Sequence, residues 1–421
     1  MKTLSLAAAL LAASAIVSIP AAAQDSPEEL AQAALDAAPV WDGHNDVPGR
    51  LRGRFGNVIA DFDFHSTSEG EQWVPGEMHT DLPRLRQGRV GAQWWSVYVP
   101  TSLEEPQAVV NTLEQIDVLK RLIAANSNDL VLATTADEVE AAVASGQIAS
   151  LIGMEGGHSI GSSLGALRQM YDLGARYMTI THNRNTPWAD SATDAPEHDG
   201  LTDFGVTVVR EMARLGMLVD LSHVAETTMH DALDTVGAPV IFSHSGALAV
   251  NGHSRNVPDS VLARMPENGG IVMAVGLPRY LDEELRLWTA DRAAEQARLE
   301  ELHQGMPDRV ESGMESWIAA HPEPVSTVSD WADHIDHIRD VAGVDHIGIG
   351  GDYDGMATGP EGAEDVTGYP VLFAELARRG YSQADLEKIS YRNMLRVMRA
   401  AEAYADGQAV VSLPPYEVPV D

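Results

Sequence analysis

Short apolar runs rich in valine, isoleucine and aromatic residues recur along the chain, and amphipathic segments separate them. Such runs are typical of strands buried on both faces of a parallel sheet, and the segments between them predict covering helices. The runs that we interpret as strands are 38–46, 91–99, 149–157, 175–182, 216–223, 238–245, 269–276 and 346–354. Eight such units predict an α/β fold, a (β/α)₈ TIM barrel, with a doubly wound sheet as the alternative.

The stretch between the seventh and eighth predicted strands is roughly seventy residues long, much more than a single crossover helix needs. Residues 281–305 have the composition of a charged, exposed helix, and 328–343 that of the crossover helix. We therefore predict an inserted helical excursion at 281–325. Connections from the C-terminal end of a barrel strand emerge on the catalytic face, so we expect the excursion to cap the active-site mouth. A solvated decoration or a dimer contact is the alternative.

The first 23 residues have the pattern of a secretory signal peptide: Lys2, an apolar run at 4–19, and three alanines at 21–23. No later segment is long and apolar enough to predict a membrane span. The proline-broken, polar C-terminal tail does not resemble a lipid-anchor signal. We therefore expect residues 24–421 to form a single barrel domain that is secreted or periplasmic.

The composition excludes several classes of partner and of active site. The net charge of −34, from 28 basic and 62 acidic residues, repels phosphate backbones, so nucleic acid is not an expected partner. The chain contains no cysteine, which excludes a disulfide framework, a thiolate nucleophile and cysteine-ligated zinc. A metal site would therefore use only nitrogen and oxygen ligands.

Seven side chains of metal-ligand type lie at or beside the C-terminal ends of the predicted strands: His44, Asp46, Glu155, His182, His223, His244 and Asp352. In a barrel those ends meet on one face, where active sites lie. One histidine at a strand end is commonly a hydrogen-bonded rim residue, but seven such groups favour a functional site. By contrast, we interpret His334 and His337, three residues apart on a predicted helix, as a solvated face.

The ligand types favour a borderline divalent ion such as zinc. Four histidines and three carboxylates exceed what one catalytic zinc needs, so two ions about 3.5–4 Å apart would use them better. Some two-metal barrels bridge their ions with a modified lysine. Neither Lys120 nor Lys388 lies at a predicted strand end, so Glu155 is the expected bridge.

Several ordered motifs between about 38 and 400 resemble the membrane dipeptidase (renal dipeptidase) family of zinc peptidases, in the metal-dependent hydrolase superfamily. They are "DGHNDVP", "GMEGGHSIGSSLGALRQMYDLGARYMTITHNRNTPWAD", "DLSHV", "PVIFSHSGA", "SRNVPD" and "GIGGDYDG". The resemblance implies a (β/α)₈ barrel that binds two zinc ions and hydrolyses small dipeptides. It further implies tolerance of a D-residue at the C-terminal position, and commonly a homodimer.

The resemblance also implies which residues bind the metals. It implies that His44 and Asp46 bind one zinc, and that His223 and His244 bind the other. Glu155 would bridge the two ions. The pair of ligands two residues apart in "DGHNDVP" is then half of a metal site.

Three further residues take roles in the reaction through the resemblance. His182 would contact the substrate and donate to the developing oxyanion, and Asp352 would be the acid/base. Arg255 would hold the free C-terminal carboxylate with a bidentate fork. From the residues alone, a loop arginine paired with Asp259 is an equal alternative.

Three other functions remain open from the sequence. A related two-metal barrel acting on another amide, a lactone or a β-lactam would keep the metal ligands but would not need Arg255. A metal-dependent deamination or decarboxylation would use the same ligands for different chemistry. A non-catalytic periplasmic binding protein would be expected to have lost ligands.

Overall fold

The computed structural model describes residues 25–67 and 78–408. The predicted signal peptide, residues 1–23, and the C-terminal tail lie outside the described residues. None of the described helices is long and apolar enough to cross a membrane.

Parallel strands form one closed sheet. The described strands are β1 Val40–Asn45, β2 Val90–Tyr98, β3 Leu130–Leu132, β4 Ile148–Glu155, β5 Ala175–Thr179, β6 Leu218–Asp220, β7 Ile241–Phe242, β8 Ile271–Val275 and β9 Ile347–Gly350. They are ordered β2-β1-β9-β8-β7-β6-β5-β4-β3, and β2 also pairs with β4. Eight strands therefore close into a ring, with β3 paired to β4 outside it, which confirms the predicted (β/α)₈ barrel.

Helices cover the outside of the ring. The described α-helices are α1 Pro27–Ala37, α2 Val47–Phe55, α3 Leu82–Gln87, α4 Glu105–Ala125, α5 Ala136–Ala144, α6 Leu164–Asp172, α7 Asp203–Leu215, α8 Glu226–Thr235, α9 Asp259–Leu262, α10 Met265–Asn268, α11 Pro278–Leu281, α12 Glu283–Leu302, α13 Pro307–Ala320, α14 Val328–Ala342, α15 Tyr369–Arg378, α16 Gln383–Glu387 and α17 Asn393–Gln408. Short 3₁₀ segments lie at Ile59–Asp61, Gly157–Ile160, Val344–His346 and Val366–Gly368, and a π-helical turn at Lys388–Arg392.

The barrel interior is a packed core. The rings of Trp41 and Trp94 stack with their centroids 6.3 Å apart, and Tyr177 lies 4.9 Å from Trp94. A β-carbon on Gly153 would lie 2.0 Å from the Tyr177 ring, so only glycine leaves room for it. This aromatic layer is fully buried, and the hydroxyl of Tyr177 reaches the cluster of histidines described below.

The observed strands are shorter than predicted at their C-terminal ends. We predicted strands at 216–223 and 238–245, whereas β6 ends at Asp220 and β7 at Phe242. His223 and His244 therefore lie just beyond the strands that carry them. Strand β3, which is additional to the eight predicted strands, was not predicted because a strand of three residues is too short to show a hydrophobic pattern.

The predicted excursion is a pair of helices between β8 and β9. Helices α12 and α13 pack against each other, and the first of them also contacts α11. Most of their side chains are exposed. The excursion is therefore helical and solvated, as the charge pattern predicted.

His334 on α14 is a buried structural residue, so our interpretation of it as part of a solvated face was wrong. Its Nδ1 accepts from the backbone N–H of Ala247 at 2.8 Å, and its Nε2 lies 3.0 Å from the carbonyl of Leu281. The ring thus holds the loop after β7 and the end of α11 to α14. Its neighbour His337 does lie at the surface, where it contacts Asp259 at 2.7 Å.

Candidate active site

Glu155, the last residue of β4, lies at the centre of the seven strand-end groups. Its Oε1 is 3.1 Å from His223 Nε2, 3.5 Å from His182 Nε2 and 3.6 Å from His244 Nε2. Its Oε2 is 3.5 Å from His44 Nε2. One carboxylate therefore faces four imidazoles, which is the arrangement that a bridging ligand requires.

The two aspartates complete the cluster on the side of His44. Its Nε2 is 3.3 Å from Oδ2 of Asp46, which follows β1 directly. Asp352, just after β9, is the third member of this group. The ligand atoms of His44, Asp46 and Asp352 all lie within 4.8 Å of one another. The structure therefore brings all seven predicted ligand-type residues to one place.

The donor set fits divalent metal ions. The cluster divides into three overlapping groups, each able to hold an ion: His44–Glu155–His244, Glu155–His182–His223 and His44–Asp46–Asp352. The Nε2 atom of His44 is buried and has no hydrogen-bond partner among the described residues. Nitrogen and oxygen donors without sulfur suit zinc and similar ions. Both Glu155 and His44 belong to two groups, so neighbouring ions would share the cluster.

A chain of buried hydrogen bonds fixes the protonation of His244. Asp220, at the end of β6, accepts the hydroxyl proton of Ser243 at 2.7 Å, and that hydroxyl oxygen lies 2.8 Å from His244 Nδ1. A serine hydroxyl has one proton, so the ring Nδ1 must carry the proton of this second bond. Nε2 of His244 is then unprotonated and free to bind a metal.

His44 is oriented in the same way from the barrel interior. The hydroxyl of Tyr177 lies 3.0 Å from His44 Nδ1 and 3.4 Å from the carbonyl of Gly43. Nδ1 can donate to this hydroxyl while Nε2 faces Asp46 and Glu155. Burial opposes the charge of the ring, but Tyr177, Glu155 and Asp46 raise its pKa well above the usual value, so a metal ion at Nε2 would displace a proton. The aromatic layer of the core thus supports the metal-ligand atom directly.

Two site residues adopt a backbone conformation that non-glycine residues seldom use. His223 has φ 68° and Asp352 has φ 61°, both in the left-handed region. Such conformations cost about 1–3 kcal/mol each and persist only where surrounding contacts hold them. The carbonyl of His223 accepts from the N–H of Ala192 at 2.8 Å, and the N–H of Asp352 donates to the carbonyl of His44 at 3.1 Å.

The buried charges of the cluster favour a cation at its centre. Burial opposes the ionised form of Glu155, but His44 and His182 bring the pKa of its carboxyl well below the usual range. Burial lowers the pKa of His223 well below its usual value. Burial, reinforced by Asp46 and Glu155, raises the pKa of Asp352 to about 8. Carboxylates that repel one another in a dry site gain from positive charge between them.

A cavity of about 250 Å³ opens above the cluster. It is lined by Asp46, Tyr98, Glu155, His182, Asn183, His223, His244, Arg255, Leu277, Arg279, Tyr280, Asp352 and Gly355. The volume is below that of typical drug-sized sites and suits a small substrate. Gly355 is required here, because a β-carbon would meet Asp46 Oδ2 at 2.3 Å and Asp352 Oδ1 at 2.5 Å.

Arg255 is buried in the wall of this cavity, with 1% of its surface exposed. Its Nη1 lies 3.3 Å from Ser245 Oγ and its Nη2 3.3 Å from the carbonyl of His244, while Nε has no partner among the described residues. The alternative pairing with Asp259 is wrong, because that carboxylate contacts His337 instead. The guanidinium is thus a buried cation beside the cluster of ligand-type residues, and some of its N–H donors have no partner among the described residues.

The predicted cap is not part of the cavity wall. No residue of 281–325 lines the cavity in the described part of the chain, and the wall on that side is Leu277, Arg279 and Tyr280. The excursion begins where the wall ends. Its helices therefore do not line the cavity, and the expectation that they cap its mouth stays a prediction.

Sequence reasoning missed several lining residues because it looked for ligand types only. Tyr98 ends β2 at the same level as the histidines, and its ring centroid lies 4.8 Å from that of His182. Its position at a strand end was a usable signal. Arg279 and Tyr280 belong to the four-residue helix α11 after β8, which is too short to show a periodic pattern.

Comparison with known proteins gives consistent matches. A family model described as Membrane dipeptidase (Peptidase family M19) matches residues 28–411. Dipeptidase 3 of Rattus norvegicus is 41% identical over 379 residues, covering 89% of this chain and 67% of that protein. The structure of the dipeptidase AC, a family M19 metallopeptidase, is 26% identical with a TM-score of 0.70, covering 86% of this chain and 98% of that one. A metallopeptidase from Rhodobacter sphaeroides, liganded with a phosphinate mimic of L-Ala-D-Ala, has the same identity and TM-score and covers 86% and 99%.

Proposed function

The chain belongs to the membrane dipeptidase family, peptidase family M19, and we propose that it is an exported zinc dipeptidase with two metals per chain. The observation that carries this proposal is the carboxylate of Glu155 among four imidazoles, at the floor of a small cavity with a buried arginine in its wall. The export rests on the signal-peptide pattern of residues 1–23. The single domain at 24–421 and the homodimer likewise remain proposals.

The proposed metal ligands are pairs whose ligand atoms lie close together in the cluster. His44 and Asp46, 3.3 Å apart, would hold one zinc, and His223 and His244, whose Nε2 atoms are 3.0 Å apart, would hold the other, with Glu155 shared by both. Two divalent ions would supply Lewis acidity, which makes a water nucleophilic near neutral pH and polarises the scissile carbonyl. The hydrogen-bonded Nδ1 atoms of His44 and His244 keep their Nε2 atoms available for this role.

The remaining groups perform proton transfer and binding. Asp352 faces the cavity beside Asp46 and would accept the proton of the nucleophile and pass it to the leaving amine. His182 would donate to the carbonyl oxygen as negative charge develops there. Its Nε2 is also 3.5 Å from Glu155, so the metal content of a His182→Asn variant distinguishes a substrate contact from a ligand. We expect that content to be unchanged.

Arg255 would select dipeptides over longer peptides. A buried guanidinium with unpaired donors can bind the free C-terminal carboxylate of a substrate whose peptide bond lies at the metal ligands. Longer peptides would place a neutral amide there. The proposed tolerance of a D-residue at this position draws support from the Rhodobacter sphaeroides relative, which binds a mimic of L-Ala-D-Ala.

Steady-state assays on a small panel test the proposal directly. The bound metal is removed with a chelator, and zinc is then added back. Both forms are assayed with L,L- and L,D-dipeptides, their C-terminal amides, tripeptides, a lactone and a β-lactam. We expect zinc-dependent hydrolysis of free dipeptides and little activity on amides or tripeptides. Hydrolysis of the lactone or β-lactam in preference to every dipeptide would contradict the proposal and favour the alternative binuclear hydrolase.

A further inference from the structure

The rim of the cavity carries a second arginine that the proposed reaction does not use. Arg279 lies on α11, just after β8, and lines the cavity together with Arg255. Arg255 is buried, whereas Arg279 is exposed at the mouth. The same wall of the cavity therefore presents an inner and an outer guanidinium.

Both guanidinium groups flank the ring of Tyr280. The Cζ atom of Arg255 is 5.6 Å from the ring centroid and that of Arg279 is 5.2 Å from it. Arg279 Nη2 also lies 3.4 Å from the Tyr280 hydroxyl. Because both distances refer to one ring, the two Cζ atoms lie within about 11 Å of each other. A group attached close to a carboxylate on Arg255 can therefore reach Arg279.

Arg279 forms no ion pair with an aspartate or glutamate of the described chain, whereas its neighbour Arg286 donates to Glu283 at 2.7 Å. This is notable in a protein with 62 acidic and 28 basic residues. Burial, together with the charges of Arg279, Arg255 and Arg286, lowers the pKa of the nearby His253 to about 4, so this imidazole stays neutral near pH 7. An exposed guanidinium without an acidic partner is suited to bind an anion that comes from the substrate.

We propose that Arg279 determines specificity for an acidic side chain on the C-terminal residue of the substrate. This inference rests on the proposed function, in which Arg255 holds the C-terminal carboxylate. An aspartate or glutamate at that position has its second carboxylate a few bonds from the first, which matches two neighbouring guanidinium groups. An acidic N-terminal residue lies across the scissile bond from Arg255 and gains nothing from Arg279.

The test compares the zinc-loaded wild type with Arg279→Met on alanyl-alanine, alanyl-aspartate, alanyl-glutamate and glutamyl-alanine. We expect kcat/KM for the two substrates with C-terminal acids to fall roughly 5- to 30-fold, as for a partly exposed charged contact, mainly through KM. The other two substrates should change by less than about twofold. Arg279→Glu should disfavour the C-terminal acids further and improve alanyl-lysine. Arg286→Met is the matched control, because it removes a nearby charge that does not line the cavity, and it should leave the preference unchanged.

Two results would overturn the inference. An equal loss on all four dipeptides would mean that Arg279 only attracts anions in general, and an unchanged preference in Arg279→Met would mean that it has no role. A failure of the proposed function would give a different result, because the zinc-loaded wild type would then hydrolyse none of the dipeptides. Hydrolysis of alanyl-alanine without a preference for C-terminal acids would refute only the inference.

Discussion

Replacing Ser243 with alanine tests whether the protein, and not only the metal, prepares His244 for binding. The serine hydroxyl lies 2.7 Å from Asp220 Oδ2 and 2.8 Å from His244 Nδ1, and both partners are buried. Without it, the ring proton on Nδ1 has no acceptor, and the histidine can adopt the tautomer that protonates Nε2. The carboxylate of Asp220 keeps other donors, including the Thr179 hydroxyl at 2.5 Å.

The magnitude follows from these contacts. A buried group left without its partner costs about 1–3 kcal/mol. Loss of such a supporting bond typically weakens metal affinity by about 10- to 100-fold, which is about 1.4–2.8 kcal/mol and thus the same range. We therefore expect Ser243→Ala to bind zinc about 10- to 100-fold more weakly, with activity restored at high zinc concentration. Competition against a chromophoric chelator measures the affinity.

Ser222→Ala is the matched control for this experiment. Ser222 is equally buried and contacts the same residue, but its hydroxyl accepts from the backbone N–H of His244 at 3.0 Å and does not contact the ring. The control should lose stability to urea without a comparable loss of zinc affinity. The tautomer argument would be refuted by a zinc affinity of Ser243→Ala within about twofold of wild type, or by an equal loss in Ser222→Ala.

Three further predictions follow from the same geometry. Asp352→Asn should keep its metals but lose about 10²–10⁴-fold in kcat, the usual contribution of an acid/base, and loss of zinc with normal turnover per metal would instead identify a ligand. Arg255→Met should lose about 1.5–3 kcal/mol in transition-state binding of free dipeptides but little for amidated ones, as kcat/KM on both will show. Burial lowers the pKa of His334 to about 4, so the folded protein keeps this ring neutral while the unfolded chain protonates it near pH 6.5. Stability present above pH 6.5 should fall by about 3 kcal/mol toward pH 4, and urea titrations of His334→Gln should show a smaller fall.

The chemistry at the strand ends could be predicted because residue type and position coincide there. Glu155 and His44 are ligand types at the ends of apolar runs, and a parallel barrel brings such ends together. The same rule would have found Tyr98, had it been applied to every side chain that ends a strand. It could not find Arg279, which lies on the four-residue helix α11 and not at the end of a strand.

The supporting contacts could not be predicted from the sequence. Ser243 and Asp220 meet only because β6 and β7 are adjacent in the barrel, so their hydrogen bond is a tertiary event. His334 has helical spacing with an exposed neighbour, and only the loops packed on α14 make it a core residue. The excursion was correctly predicted as helical from the charge pattern of α12, whereas its role as a cap stays a prediction, because no residue of it lines the cavity in the described part of the chain.

The central claim is that Glu155 joins two metal ions in one site, and metal stoichiometry tests it most directly. Elemental analysis of the zinc-loaded protein, alongside Glu155→Gln, should find close to two zinc ions per wild-type chain. The variant should lose metal and dipeptidase activity together. The neutral amide of glutamine cannot replace the charged carboxylate that lies among the four imidazoles and that two ions would share. One tightly bound ion per wild-type chain, with a Glu155→Gln variant that keeps both its metal and its activity, would contradict the account.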